Sequence, residues 1–258
     1  MDLELTGKNV LIVGGAAGIG LACAQRFMAE GAMVIVWDLA EVSQSNFINV
    51  QCDITNKQSV EAALNQTMMS VNSIDCLVHT AAVGSGYFGF PFDNVPIESW
   101  SKVLDVNITG MAQVAYAVAP QMIKQRSGSM VFLSSVAGQI GSQTDPPYSA
   151  SKAANLNFAI CLARDLARHH VRVNSVCPGM VKTSLNRSVW QAWFNQAEPE
   201  DRMDYDAWAE EKIRKVCPLG RWQSTDDIAD TILFLSSARA AQITGQAINV
   251  DGGFVMRM

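Results

Sequence analysis

Short apolar runs alternate along the chain with longer stretches in which apolar residues recur every three or four positions. The run at residues 9–13 (NVLIV) is followed by a helical pattern over 18–31, with Leu21, Ala24 and Met28 on one face. The runs predicted as strands are 9–13, 33–37, 49–52, 76–79, 129–133, 171–176 and 246–250. Strands that are apolar throughout and separated by helices are typical of a parallel sheet covered on both faces.

The predicted helices complete this picture. They cover residues 18–31, the stretch through Val60, Leu64 and Met68, most of 97–122, and residues 148–169 and 226–235. Because β-α-β crossovers are right-handed, the pattern predicts a doubly wound α/β sheet of the Rossmann type, as a single domain over residues 1–258. Ligands of such a sheet lie beyond the carboxyl ends of its strands.

One segment, residues 184–216, interrupts the alternation. It carries Trp190, Trp193, Phe194 and Trp208 among many acidic residues. We interpret it as a helical insertion over the strand ends and predict a substrate lid, because long excursions at this place are often functional. The alternative is an amphipathic connection that packs its aromatic side chains onto the core.

A glycine-rich turn follows the first predicted strand. Residues 14–20 read GGAAGIG, which spaces Gly14, Gly18 and Gly20 as G-x-x-x-G-x-G. Glycine permits a tight turn and a close approach to a pyrophosphate, and the N–H groups of the following helix face the phosphates. A glycine run alone is weak evidence. Its position between a strand and a helix indicates a dinucleotide site that includes Ile19.

The second and third predicted strands end in acidic residues. A carboxylate at Asp38 can accept both hydroxyls of an adenosine ribose and repel a 2′-phosphate. The next residue is Leu39, and the glycine loop contains no Lys or Arg, so NAD is predicted over NADP. Asp38 could instead cap a helix or lie in a loop. Asp53, between Cys52 and Ile54, is predicted at the adenine, although it could simply form a turn.

A Tyr, a Lys and a Ser suggest proton-transfer chemistry. Tyr148 and Lys152 are four residues apart in a predicted helix and share one face. A phenol with its ordinary pKa of about 10 is a poor base at neutral pH, but a neighbouring ammonium and the positive ring of an oxidised nicotinamide favour the phenolate. Ser135, at the end of the fifth strand, can hold the substrate oxygen. Taken alone, these residues could be a solvated helix face and a strand-end turn.

Together these motifs resemble the short-chain dehydrogenase/reductase family with a Y-x-x-x-K active site, over nearly the whole chain. The resemblance implies that Tyr148 is the general acid/base, that Lys152 lowers its pKa and binds the nicotinamide ribose, and that Ser135 positions the substrate. It also implies that Asn107 anchors a water in a proton relay to Lys152. Without the resemblance, Asn107 would be an ordinary polar residue of a helix.

Further segments resemble the family beside the expected nicotinamide. In residues 178–183 (PGMVKT), the resemblance implies that the Val181 backbone and the Thr183 hydroxyl hold the carboxamide, next to Pro178 and Gly179. Ala81 and Ala82 are expected along the cofactor. The chain departs from the family where His79-Thr80-Ala81-Ala82 replaces Asn-Asn-Ala-Gly, and where Val13 replaces a threonine. We interpret His79 as a structural strand-end histidine rather than a catalytic base.

Composition narrows the classes of function. The 258 residues are 49% hydrophobic and 17% charged, with a net charge of −5 and no basic run, which disfavours nucleic-acid and anionic-membrane partners. The acidic start of the chain and the lack of a long apolar window predict a cytoplasmic protein without a secretory signal or membrane span. The six scattered cysteines are expected to be reduced and mostly buried, with no metal site.

The sequence thus predicts an NAD-dependent oxidoreductase that converts a secondary alcohol to a ketone, reversibly, with a small-molecule substrate. Family resemblance implies a homotetramer. Cyclic, aryl, polyol and sugar alcohols all remain open, with an apolar pocket wall expected from aromatic residues: Tyr87, Phe88, Phe90, Phe92, Trp190, Trp193 and Phe194. One alternative is a 3-oxoacyl-thioester reductase acting on an acyl carrier, disfavoured by Asp38 and the acidic stretch 198–206. Another is a catalytically silent nucleotide-binding regulator, disfavoured by the intact Ser135, Tyr148 and Lys152.

Overall fold

The computed structural model describes residues 2–40, 46–142 and 144–256. Within these ranges, seven strands form one sheet in the order β3-β2-β1-β4-β5-β6-β7, and every neighbouring pair is parallel. The strands are β1 Asn9–Val13, β2 Met33–Asp38, β3 Ile48–Gln51, β4 Cys76–His79, β5 Gly128–Leu133, β6 Val171–Pro178 and β7 Ala247–Val250. The predicted doubly wound parallel sheet is confirmed.

Helices cover both faces of the sheet. Alternate residues of β1 point to opposite sides, so Leu11 belongs to one buried apolar cluster and Ile12 to the other. The α-helices of the described ranges are α1 Gly18–Ala29, α2 Lys57–Ser70, α3 Ser99–Leu104, α4 Met111–Gln125, α5 Ala137–Ile140, α6 Pro146–Leu166, α7 Ser184–Gln196, α8 Tyr205–Val216 and α9 Thr225–Ser236. None of these helices has the length and apolar character needed to cross a membrane.

Local capping sets where the helices near the strand ends begin. Asp145 caps α6, because its side chain accepts a hydrogen bond from the Tyr148 N–H at 3.3 Å, and two prolines occupy the first turn. Thr183 caps α7 through the Asn186 N–H at 3.4 Å. The start of α6 therefore fixes the position of Tyr148 relative to the end of β5.

The region predicted as mostly helical over residues 97–122 contains an irregularity that apolar spacing does not reveal. Residues Asp105–Gly110 form a π-helix between α3 and α4. A π-turn adds a residue to the helical turn and is frequent at functional sites. Asn107 lies in this turn and is buried, with 1% of its surface exposed.

The strand order reverses between β1 and β4, and the turns after these two strands are in close contact. Gly14 has φ +83°, and a Cβ placed on it would lie 2.6 Å from the Ala81 nitrogen. The Thr80 hydroxyl lies within hydrogen-bonding distance of the carbonyl oxygens of Val13 (2.9 Å) and Gly14 (3.0 Å). A crevice at such a reversal is where ligands of doubly wound sheets bind.

The contact of Gly14 with Ala81 predicts a specific loss of stability. Gly14→Ala should lower the free energy of unfolding by about 3 kcal/mol or more, because strain at positive φ adds to a backbone clash. Gly86→Ala is the matched control: Gly86 also has φ +83° but meets no atom within 4 Å. The free energy of unfolding of Gly86→Ala should fall by only about 1–2 kcal/mol. Urea unfolding of both variants measures this difference, and equal losses would contradict it.

Candidate active site

A cleft of about 650 Å³ opens at the carboxyl ends of the strands. All of the predicted cofactor-binding residues and three of the four predicted catalytic residues line it. These residues are Gly14, Gly18, Ile19, Gly20, Asp38, Leu39, Cys52, Asp53, Ile54, Ala81, Ala82, Ser135, Tyr148, Lys152, Pro178, Gly179, Val181 and Thr183. The fold therefore brings together residues that are separated by up to 169 positions in the chain.

The start of α1 has the features of a phosphate site. The cap residue is Ala17, and no side chain of the described residues caps the helix or places an acid in its first turn. Its first N–H groups therefore lack a side-chain acceptor where the helix meets the cleft. A Cβ on Gly20 would overlap the Gly14 carbonyl oxygen, so the loop can close only with glycine there. These residues fit the pyrophosphate of a dinucleotide.

Asp38 is clamped at the end of β2. Its Oδ2 accepts a hydrogen bond from the Ala16 N–H at 2.9 Å, and its Oδ1 accepts one from the Ala40 N–H at 3.0 Å. The carboxylate thus braces the glycine loop instead of capping a helix. Each oxygen keeps a further lone pair for a ligand. Leu39, the next residue, is 64% exposed and brings no positive charge.

Asp53 has a structural use as well as a place in the cleft. Its Oδ1 accepts hydrogen bonds from the N–H and the hydroxyl of Thr55, at 2.9 and 2.7 Å. This is the turn before α2 that the sequence left open as an alternative. The predicted adenine contact of Asp53 stays a prediction.

The end of β5 and the first turns of α6 bring Ser135, Tyr148 and Lys152 together. Lys152 is 2% exposed, and its ammonium donates a hydrogen bond to the Leu133 carbonyl at 2.6 Å. The same ammonium lies 5.5 Å from the centroid of the Tyr148 ring. The Ser134 hydroxyl donates to the Lys152 carbonyl at 2.9 Å, which ties the strand to the helix. The Ser135 side chain lies close enough to the Tyr148 hydroxyl to influence its pKa.

Burial acts on the two titratable groups in opposite senses. It raises the pKa of Tyr148, which the hydrogen bond from Ser135 partly offsets and the charge of Asp145 reinforces. It lowers the pKa of Lys152 to about 8. The sequence led us to expect that Lys152 lowers the pKa of Tyr148, but in the chain alone desolvation dominates. A cation added to the cleft, such as an oxidised nicotinamide ring, would favour the phenolate.

Asn107 does not line the cleft. Its Oδ1 accepts from the Val83 N–H at 2.8 Å, and its Nδ2 donates to the Val83 carbonyl and to the Ser151 hydroxyl, both at 2.9 Å. The side chain therefore fastens the loop after β4 to α6. A role of Asn107 in holding a relay water stays a prediction.

The aromatic residues expected to form the pocket wall do not line the cleft. Trp190 packs 5.3 Å from Phe194 and 5.8 Å from Tyr205, between ring centroids, and its Nε1 donates to the Met203 carbonyl at 3.1 Å. Trp193 packs on Trp208 at 6.2 Å. Of the loop aromatics, Tyr87, Phe90 and Phe92 are exposed and Phe88 is partly buried. The aromatics of α7 pair with those of α8 and neighbouring residues rather than with a ligand.

Other residues take the expected place of this aromatic wall. The two helices contribute Leu185, Val189, Lys212 and Val216 to the cleft, and Phe254 joins them from the end of the chain. These residues were not predicted, because helix periodicity does not say which face of an inserted helix meets a ligand. Asp145 was not predicted either; it lines the cleft and is 7% exposed, and an acid before two prolines is a recognisable helix-start signal.

Comparison with known proteins identifies the family. A family model described as enoyl-(acyl carrier protein) reductase matches residues 14–255. The chain belongs to the short-chain dehydrogenase/reductase family. The protein is therefore an oxidoreductase of a family that binds a nicotinamide cofactor.

Relatives within this family differ in substrate. The 3-oxoacyl-(acyl-carrier-protein) reductase FabG of Thermotoga maritima is 31% identical over 98% of this chain and 100% of its own length. The NAD-dependent glycerol dehydrogenase of Listeria innocua is 28% identical over 99% of this chain and 97% of its own. Among solved structures, ligand-free aldohexose dehydrogenase of Thermoplasma acidophilum superposes with a TM-score of 0.87 at 29% identity, covering 100% of this chain and 98% of its own.

His79 stands where the short-chain dehydrogenase/reductase pattern has an asparagine. It is 2% exposed, and within the described residues its Nε2 has no hydrogen-bond partner. Its ring packs 6.1 Å from that of Phe132 and does not line the cleft. Burial, with a smaller effect of the Lys152 charge, lowers the pKa of His79 to about 3. The imidazole is therefore neutral at neutral pH, as a structural histidine would be.

This burial predicts a pH-dependent stability. The unfolded chain binds a proton at His79 near pH 6.5, but the folded chain binds it only near pH 3. The free energy of unfolding is therefore highest above pH 6.5 and decreases as the pH falls below it. Between pH 7.5 and 5 the natural protein should lose about 2 kcal/mol more than His79→Asn. Urea unfolding at both pH values measures this; both proteins keep His169 and His170. If the free energy of unfolding falls equally in the natural protein and in His79→Asn, His79 can be protonated in the folded state.

Proposed function

We propose that this protein is an NAD-dependent dehydrogenase of secondary alcohols that also reduces the corresponding ketones. The observation that carries the proposal is the convergence of Ser135, Tyr148 and Lys152 on the cleft that the glycine loop and Asp38 line. The Ser135 side chain lies close enough to the Tyr148 hydroxyl to influence its pKa, and both residues line the cleft, so an alcohol oxygen can contact both. This is the arrangement that general acid–base catalysis at a carbinol requires.

In the oxidative direction, the Tyr148 oxygen accepts the proton of the substrate hydroxyl. The Ser135 hydroxyl donates a hydrogen bond to the developing carbonyl oxygen. A bound oxidised nicotinamide supplies the hydride acceptor at the same carbon. Lys152, held by the Leu133 carbonyl, keeps its charge beside the phenolate and would hold the ribose of a bound nicotinamide cofactor. In reduction, the protonated Tyr148 is the proton donor, and burial already favours that state.

The proposed preference for NAD rests on the clamp at Asp38. Because Ala16 and Ala40 hold one carboxylate oxygen each, the side chain cannot swing away from a 2′-phosphate without losing both hydrogen bonds. A carboxylate beside a phosphate is an unfavourable like-charge contact. The same oxygens can accept the two ribose hydroxyls of NAD. The Listeria innocua relative is described as NAD-dependent, which agrees with this proposal.

A second candidate is the reduction of a 3-oxoacyl thioester. The description of the family model and the Thermotoga maritima relative favour it. The clamped Asp38 and the exposed acids Glu198, Glu200, Asp201 and Asp206 disfavour an acidic carrier protein as partner.

We also propose that residues 184–216 form a substrate lid, because α7 and α8 line part of the cleft. The homotetramer and the cytoplasmic location stay predictions.

Tyr148→Phe should abolish most of the activity. Loss of the proton-transfer group should lower kcat by about 10²- to 10⁴-fold, while the dissociation constant of NAD changes little. The assay is NADH formation from a panel of secondary alcohols and sugars. Tyr116→Phe, which removes a hydroxyl from a side chain 73% exposed on α4, is the control. Unchanged turnover in Tyr148→Phe would rule out the proposed mechanism.

Asp38→Asn should weaken the preference for NAD. Removing the charge should reduce the ratio of kcat/KM with NAD to that with NADP by about 10- to 100-fold, mainly by improving the use of NADP. Asp53→Asn is the control, because Asp53 also lines the cleft but lies after the next strand. Both ratios are measured with the same alcohol. A ratio that stays constant in Asp38→Asn means that this carboxylate does not select the cofactor.

A further inference from the structure

Lys212 is a cation of the cleft that the proposed mechanism does not use. It lies in α8 and lines the cleft with Val216, one turn further along, and with Leu185 and Val189 of α7. The charged residues of the described lining are Asp38, Asp53, Asp145, Lys152 and Lys212. The ammonium of Lys152 is bound to the Leu133 carbonyl, whereas Lys212 belongs to the part of the cleft lining that α7 and α8 contribute.

The Lys212 ammonium has no anionic partner in the described part of the chain. No carboxylate lies within 4.0 Å of it and it makes no hydrogen bond there; its Nζ lies 4.5 Å from the centroid of the Trp208 ring. Two carboxylates of α8 pair with other cations: Asp206 with Lys182 at 3.6 Å, and Glu211 with Lys215. The carboxylates of α8 therefore do not neutralise Lys212.

The surroundings of Lys212 make an anion favourable. The Lys212 side chain is partly buried in a lining shared with aliphatic residues, and its ammonium lies over an indole, so the ammonium has lost part of its hydration. This burial lowers the pKa of Lys212 to about 8, which leaves the amine mainly protonated at neutral pH. A partly desolvated charge gains more from a counterion than an exposed one does. Asp145 is no substitute, because its oxygens accept hydrogen bonds from Ser85 and Tyr148.

We propose that Lys212 binds a carboxylate of the substrate, so that the preferred substrate is a hydroxy acid, or its oxo acid, rather than a neutral alcohol. The inference rests on the proposed function, because it names a substrate class for the same cleft. The hydroxyl to be oxidised lies at Ser135 and Tyr148. The acid group lies where α7 and α8 line the cleft and Lys212 is the cation.

Matched pairs of probes test the charge alone. Gluconate is compared with glucitol, and 3-hydroxybutyrate with its methyl ester, each with NAD. In Lys212→Met, kcat/KM for the acids should fall by about 10- to 100-fold through KM, with kcat and the values for the neutral partners nearly unchanged. Lys212→Arg should restore most of the loss. Lys215→Met, on the same helix but paired with Glu211 and not in the cleft lining, should behave as the natural protein.

A binding measurement gives a result independent of turnover. Gluconate and 3-hydroxybutyrate are titrated into the enzyme with NADH while tryptophan fluorescence is recorded, since Trp208 lies beneath the ammonium. A saturable change should occur in the natural protein and in Lys212→Arg, and should be lost in Lys212→Met.

Three results would overturn the proposal. The first is an equal kcat/KM for the acid and its neutral partner. The second is an equal loss of kcat/KM for both in Lys212→Met. The third is that Lys212→Met raises the KM for NAD instead of the KM for the acid. The last would assign Lys212 to the cofactor phosphates. If a neutral alcohol is oxidised without any preference for acids, the inference fails and the proposed function stands. If no alcohol is oxidised, the proposed function fails, and the titration still decides whether Lys212 binds an acid.

Discussion

The close approach of the turn after β1 to the turn after β4 is the constraint on which the cleft depends. Gly14 can adopt its positive φ and lie against the Ala81 backbone only because it has no Cβ. The Thr80 hydroxyl joins the two turns through the Val13 and Gly14 carbonyls. This contact directs the chain into α1 with its uncapped N-terminus at the cleft. Thr80 thus supplies a polar brace at one of the two positions where the family pattern has asparagine.

The same contact is linked to Tyr148 through the short backbone segment 81–83 and a set of hydrogen bonds. Beyond Ala81, the Val83 backbone is held on both sides by the Asn107 side chain, which donates to Ser151. Ser151 in turn donates to the Tyr148 carbonyl at 2.7 Å. Hydrogen bonds and a short piece of backbone therefore connect the glycine turn to the proposed proton-transfer residue. Because the π-helix carries Asn107 to the centre of this network, its irregular geometry has a structural purpose beyond any relay water.

Burial gives the site its electrostatic character. His79 is kept neutral, the pKa of Lys152 falls and that of Tyr148 rises, all because charged forms lose hydration in the same interior. The chain alone therefore holds Tyr148 as a phenol. Ligands that bring charge into the cleft decide its protonation, so binding and proton transfer are coupled. The aromatic side chains of α7 and α8 pack on one another, and the residues that these helices contribute to the cleft include aliphatic ones and Lys212.

The sequence by itself determined the order of strands and helices, the glycine turn, and the grouping of Ser135, Tyr148 and Lys152. These features depend on local periodicity and on short spacings between residues, which can be read from one segment of the chain. Only the tertiary structure decided that Trp190 and Trp193 pack on Tyr205 and Trp208, and that Lys212 lines the cleft. It also decided that desolvation outweighs Lys152 in setting the pKa of Tyr148. Each of these outcomes depends on which distant side chains meet and how much water they exclude, and apolar spacing along one helix carries no record of that.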